Sequence, residues 1–221
     1  MQVSTSTQIG VCVLVIISAI VFAIWPRSDG GVGTGAAGRQ PSSSQAADAQ
    51  ALRDLARLRA RAQLLPCPAA GLAATPSSPL AGVTVDCLAG GPAVDVAGAG
   101  GGRPMLINYW AYWCAPCRTE LPVVADYARR AGDQVRVLTM HGVDGAQQPD
   151  MSLTLLTDIG VRLPTVVDTK GSFAAAVGLP RAYPTTVLIR ADGTVAALLP
   201  RVFRSTGEIA QAVRQYLLVT T

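Results

Sequence analysis

The chain has 221 residues, half of them apolar, 14% charged and 5% aromatic, with a formal net charge of +4. This balance argues against a disordered, collagen-like or multi-pass membrane protein. Residues 26–79 carry six Arg against three Asp, whereas residues 80–221 carry twelve basic against eleven acidic side chains, so nothing points to a nucleic-acid partner, which would concentrate Lys and Arg on the folded body.

Residues 9–25, IGVCVLVIISAIVFAIW, run seventeen positions without a charge, about 26 Å as a helix at 1.5 Å per residue, just enough to span a bilayer. A cleaved signal peptide is the competing reading. Its apolar region is normally shorter and follows a basic start, so residues 1–27 are expected to be a transmembrane anchor, with Cys12 a small hydrophobe inside it. Residues 28–48, rich in Gly, Ser and Ala, have the composition of a flexible linker. Residues 49–65 read as a helix, with Leu52, Leu55, Ala62 and Leu65 on one stripe and Arg53, Arg57 and Arg61 at i, i+4 spacing on a solvated face. Pro66 and Pro68 end it, and a Pro-containing connection completes residues 49–79.

From residue 80 short apolar runs alternate with turn residues. Residues 83–88 and 94–96 predict a hairpin across Gly90-Gly91-Pro92, and 105–110 a buried strand. Residues 115–131 predict a helix that Pro122 should kink. A strand at 135–140, a helix at 152–159, a strand at 165–167 and a helix at 172–177 follow. A hairpin over 185–190 and 195–199 precedes a closing helix at 206–218, whose start is marked by Ser205 and Glu208 at capping-box spacing. The order predicts that residues 80–221 form an α/β three-layer sandwich, a central mixed sheet with helices on both faces.

The chemistry concentrates in LINYWAYWCAPCRTE, residues 106–120: a buried strand, a short turn, then Cys-x-x-Cys at a helix start. Free N–H groups and partial positive charge at a helix N-terminus favour a thiolate at Cys114, the expected nucleophile. Cys117, one turn inward, would then attack a mixed disulfide at Cys114 and release the partner. Pro116 stiffens the turn between them, and Trp113 would cover the site from its apolar side. Zinc would need two further ligands from Cys67, Cys87 and His141, which form no second compact pair; no metal and no cofactor are expected. A purely structural bridge over three residues would close almost no loop.

Cys67 and Cys87 are spaced as a second disulfide, which persists only in an oxidising compartment. They are expected to form a structural staple, with a second redox pair as the alternative reading. Arg27 and Arg39, after the apolar span, would keep that end cytoplasmic; the cysteines point the other way and place the body outside the cytoplasm. His141, the single histidine, follows the strand predicted to end at Met140, where it could approach a ligand or be a satisfied polar residue.

WCAPC behind an apolar strand, with Pro184 in Tyr-Pro-Thr-Thr ahead of a later strand, resembles the thioredoxin superfamily. The sequence is more particularly similar to the membrane-anchored TlpA/ResA-like branch of bacterial extracytoplasmic thiol-disulfide oxidoreductases. The resemblance covers about residues 80–218. It implies that Pro184 is a cis-proline beside the redox disulfide, where neighbouring backbone pairs with a substrate chain, and that Trp113, Pro116 and Tyr183 share that substrate surface. Tyr183 departs from the smaller or aliphatic residue expected before this proline. Glu120 matches an acid that helps move a proton to or from Cys117; the other reading leaves it on a solvated helix face.

The resemblance further implies protein thiol and disulfide substrates such as apocytochrome c, reduced before haem attachment. Electrons would arrive from an integral-membrane carrier of the CcdA/DsbD kind. Thiol oxidation for secreted-protein folding is the alternative direction. A Sco-like copper-binding factor would use a wider Cys-x-x-x-Cys pair with His141, and a peroxiredoxin-like peroxidase would carry a Thr/Pro-flanked cysteine that is not visible here.

Overall fold

Residues 105–110, MLINYW, are buried throughout, and strands of this kind, apolar on both faces, belong in the middle of a covered sheet. The computed structural model describes residues 43–69 and 78–221. Its elements run α1 (Ser43–Ala62), β1 (Thr84–Cys87), β2 (Val94–Asp95), β3 (Met105–Trp110), α2 (Ala115–Ala131), β4 (Arg136–His141), α3 (Pro149–Asp158), β5 (Thr165–Val167), α4 (Ser172–Val177), β6 (Thr185–Ile189), β7 (Val195–Leu199) and α5 (Thr206–Leu217). The apolar span expected at 9–25 and the linker up to residue 42 lie outside the described residues. Among the described residues no helix is long and apolar enough to cross a membrane.

The strands form one mixed sheet in the order β2-β1-β5-β4-β3-β6-β7. β3, β4 and β5 are parallel, joined through α2 and α3, while β6 and β1 flank them antiparallel. Successive side chains of a strand point to opposite faces, and β3 divides accordingly. Leu106 and Trp110 enter a core with Leu121 and Val124 of α2, Leu153 of α3 and Val213 of α5. Met105, Ile107 and Tyr109 enter a second core with Phe173 of α4 and with Leu80 and Val85. The three layers are therefore unequal: three helices cover one face, and the short α4 with the segment around Leu80 covers the other.

On the three-helix face one row of the sheet is polar. Thr165 is the register partner of Thr139, Thr139 of Asn108, and Asn108 of Thr186, and all four are at most 1% exposed. The threonines of β4 and β5 satisfy each other, Oγ1 to Oγ1 at 2.8 Å.

Several boundaries differ from expectation. α1 starts at Ser43 rather than residue 49, because Gln45, Ala46 and Ala47 are good helix formers inside what the composition presents as linker. It stops at Ala62, and Gln63 adopts a positive φ of 50°. Leu65 thereby leaves the helical stripe and donates its N–H to Arg162 O at 2.8 Å. α1 packs against α3, Arg59 Nε donates to Leu88 O at 3.0 Å, and a disulfide joins Cys67 to Cys87 with Cα atoms 6.0 Å apart. The helix is thus attached to the β1–β5 side of the sheet. β4 runs one residue further than predicted and includes His141.

Candidate active site

Cys114 is the N-cap of α2. Its backbone is extended, φ −80° and ψ 104°, and its Sγ accepts the N–H of Cys117 at 3.2 Å, taking one of the donors that a helix start leaves unsatisfied. Pro116, on the exposed first turn, has no N–H to satisfy. The two sulfurs are joined in a disulfide, with Cys114 4% exposed and Cys117 fully buried. A partner approaching from solvent meets Cys114 first.

One turn further, at i+3 from Cys117, Glu120 lies on the buried face of α2 and is 0% exposed, which excludes the solvated-face reading. Its carboxylate accepts the Phe203 N–H through Oε1 at 2.7 Å and the Asn108 Nδ2 amide through Oε2 at 2.7 Å. Burial pushes its pKa above the ordinary 4.5, while the two hydrogen bonds pull it back. Glu120 is therefore a carboxyl that can hold a proton at pH values where an exposed one cannot.

Across the site the Tyr183–Pro184 bond is cis. The Tyr183 ring stacks on Tyr109 with centroids 5.5 Å apart, meets Trp113 edge-on at 5.4 Å, and donates from its hydroxyl to Asp144 Oδ2 at 3.2 Å. Burial and the Asp144 carboxylate push the Tyr183 phenol up to about 12, so it stays a neutral donor. Gly142 makes this packing fit: a Cβ there would stand 2.4 Å from the Tyr183 hydroxyl and 2.6 Å from Tyr109. Tyr109, Asp144, Leu179, Arg181 and Tyr183 line a groove of about 460 Å³ beside the cis-proline. Trp113 is 54% exposed, with Nε1 donating to Asp144 O at 3.1 Å, so it stands beside the disulfide as an open apolar surface.

His141 approaches no ligand. It is fully buried, and the Tyr112 N–H donates to its Nε2 at 3.0 Å while Nδ1 lies 2.7 Å from Gly142 O. A backbone carbonyl accepts and a backbone N–H donates, so the neutral ring protonated at Nδ1 satisfies both. Burial lowers its pKa below 6.5, with the Gly142 carbonyl and Asp144 opposing. The folded state therefore binds this proton less readily than the unfolded chain. Its contribution to stability is complete above pH 6.5 and is lost as pH falls from there through the depressed folded value. Because the chain has one histidine, its ring resonances follow this directly: they are expected to titrate below pH 6.5, and the urea midpoint in a Glu120→Gln background to fall between pH 6.5 and that titration. An imidazole titrating at its ordinary value would refute the assignment.

The structure thus brings together Cys114, Cys117, Glu120, Trp113, Tyr183 and Pro184, with Pro116 on the helix turn beside them. Cys67 and Cys87 do not join them: β1 lies three strands across the sheet from β3. Sequence reasoning missed Asn108, Gly142, Asp144 and the Phe203 N–H. A lone amide inside the apolar run 105–110 was the available signal for the first; the others are brought in by the fold from distant parts of the chain.

The strand order, the helix-start disulfide and the opposed cis-proline define a thioredoxin-like domain. The AhpC/TSA family profile matches residues 82–198, just over half of the chain, and the protein belongs to that family. Thioredoxin-like protein YneN of Bacillus subtilis is 26% identical over 94 residues, 42% of this chain and 54% of its own length. The thiol:disulfide interchange protein CycY of Rhizobium leguminosarum bv. viciae is 32% identical over 109 residues, 48% of this chain and 53% of its own length. The chain therefore spans about half the length of these curated relatives. Among solved structures, a secreted Mycobacterium tuberculosis disulfide oxidoreductase superimposes with a TM-score of 0.51 at 20% identity, over 62% of this chain and 97% of its own, which shows the shared fold.

Proposed function

We propose that the protein is a membrane-tethered thiol-disulfide oxidoreductase that acts outside the cytoplasm through Cys114 and Cys117. The observation that carries this is the helix-start disulfide itself, its outer sulfur held by the Cys117 N–H and its inner sulfur buried one turn from Glu120. In the reducing direction the Cys114 thiolate attacks a partner disulfide, forming a Cys114–partner bond and expelling the partner's other sulfur as a thiolate. Cys117 then gives its proton to Glu120 and its sulfur attacks Cys114. The Cys114–Cys117 bond forms as the Cys114–partner bond breaks, and that electron pair leaves with the partner's second sulfur. The partner gains two electrons and the protein is oxidised.

The groove lined by Tyr109, Asp144 and Tyr183, with Trp113 packed edge-on against Tyr183, offers aromatic surface to an extended substrate chain. The Cys67–Cys87 disulfide supports an oxidising compartment, and the apolar residues 9–25 support a tether. By family resemblance the reading extends to disulfide reduction in cytochrome c maturation or related thiol homeostasis, fed by a CcdA/DsbD-type carrier. Copper assembly is less well served, since both His141 nitrogens are engaged by backbone.

Direction depends on the reduction potential, where about 30 mV is 1.4 kcal/mol for two electrons. The test is to equilibrate the full chain with glutathione and dithiothreitol buffers and map each disulfide by mass spectrometry. The expected potential is near or below the roughly −270 mV of thioredoxin. A value near the roughly −120 mV of a strong oxidant would overturn the reductase and make the protein an oxidase for secreted chains.

A further inference from the structure

Asn108 sits in the middle of β3, fully buried, and half of its amide has no partner. Nδ2 donates to Glu120 Oε2 at 2.7 Å and to Thr186 Oγ1 at 3.3 Å, while Oδ1 meets no donor. With Phe203 N–H on the other carboxylate oxygen, Glu120 faces a donor at each oxygen. That arrangement suits the ionised carboxylate. A proton on the Oε1 lone pair that accepts the Phe203 N–H would confront that donor, which the backbone holds in place. A proton on the Oε2 lone pair directed at Asn108 would confront an NH2 group, which cannot accept it.

The second conflict has a local remedy. A half turn of the Asn108 amide exchanges its nitrogen and oxygen, so the unpartnered Oδ1 comes to face Glu120 and accepts the new O–H. The Thr186 hydroxyl serves both orientations, because it can accept from the nitrogen or donate to the oxygen. The two orientations of such an amide differ in hydrogen bonding and hardly at all in shape, so the turn asks no repacking of the strands around it. A buried acid that gains a proton on that lone pair without such a partner would leave donor against donor.

We propose that Asn108 is a positioning residue whose amide turns over with the proton on Glu120, nitrogen toward the carboxylate and oxygen toward the carboxylic acid. This rests on the reading of Glu120 as the group that takes the Cys117 proton. It deepens that reading by naming what lets a sealed carboxyl change state inside the sheet. Thr186, paired with Asn108 across β3 and β6, completes the device.

The test follows the wild-type full chain, oxidised and labelled with ¹⁵N-asparagine, through a pH titration. The Asn108 NH2 resonances and the infrared carbonyl band of protonated Glu120 are recorded together. Both are expected to change with one midpoint, and Glu120→Gln is expected to remove both transitions. Asn108 resonances that stay still while the Glu120 band titrates would overturn the proposal. Asn108→Leu removes the donor to the carboxylate and is expected to tighten proton binding at Glu120 about tenfold; an unmoved midpoint would also overturn it. Should that variant not fold, the wild-type titration decides alone. If the two signals move together while Glu120→Gln leaves the resolution rate of a Cys114 mixed disulfide unchanged, the turnover of Asn108 stands and the role of Glu120 toward Cys117 falls.

Discussion

Replacing Cys117 by serine is expected to leave a protein that captures its partner and cannot let go. Cys114 is the sulfur within reach of solvent, and at the start of α2 its thiolate is favoured by the helix N-terminus and by the Cys117 N–H. It would still attack a partner disulfide, but serine cannot displace the resulting bond, so a mixed disulfide accumulates and turnover falls roughly a thousandfold or more. Cys114→Ser should lose turnover to the same degree without trapping anything, because Cys117 is sealed. Non-reducing electrophoresis with mass spectrometry of the adduct separates the two. An adduct on Cys117 in the Cys114→Ser protein would reverse the assigned roles.

Changing both Cys67 and Cys87 to serine is expected to lower stability by about 3 kcal/mol, from the loop-closure entropy of a 20-residue separation, and to leave disulfide exchange at Cys114 intact. The reasoning is positional. The bridge attaches the chain after α1 to the end of β1, where Cys87 is paired with Val166 of β5, and β1 lies three strands away from β3. Urea unfolding measures the first effect and turnover on a protein disulfide the second. Lost turnover in a variant that remains folded would make this a second redox pair, and the staple reading would have to be abandoned.

What the sequence disclosed, and what it withheld, divides along the range of the interactions. Cys114, Pro116 and Cys117 could be read because a helix start and a three-residue spacing are local facts. The strands were readable because β3 to β6 are short apolar runs between turn residues. Ser205 behaved nearly as its capping-box spacing implies, accepting the Glu208 N–H at 3.2 Å, although the Glu208 carboxylate turns to the Arg204 N–H rather than to Ser205. Glu120 could be placed on a helix, but its partners could not, since Asn108 is 12 residues before it and Phe203 83 after it. His141 illustrates the same limit. One extra residue of strand pairing, against Trp110 and Val167, turned an apparent loop ligand into a buried brace for Tyr112.

The space at residue 142 ties two positions together. Tyr183 occupies the volume that a side chain at 142 would need, and no positive φ is involved, so the requirement for glycine there comes from this tyrosine and its neighbour Tyr109 rather than from the backbone. A small residue before the cis-proline would relieve the contacts with Tyr183 and leave the one with Tyr109, so both rings of the groove wall depend on the missing side chain at 142. Enlarging residue 142 is therefore expected to displace the two stacked tyrosines together rather than either one alone.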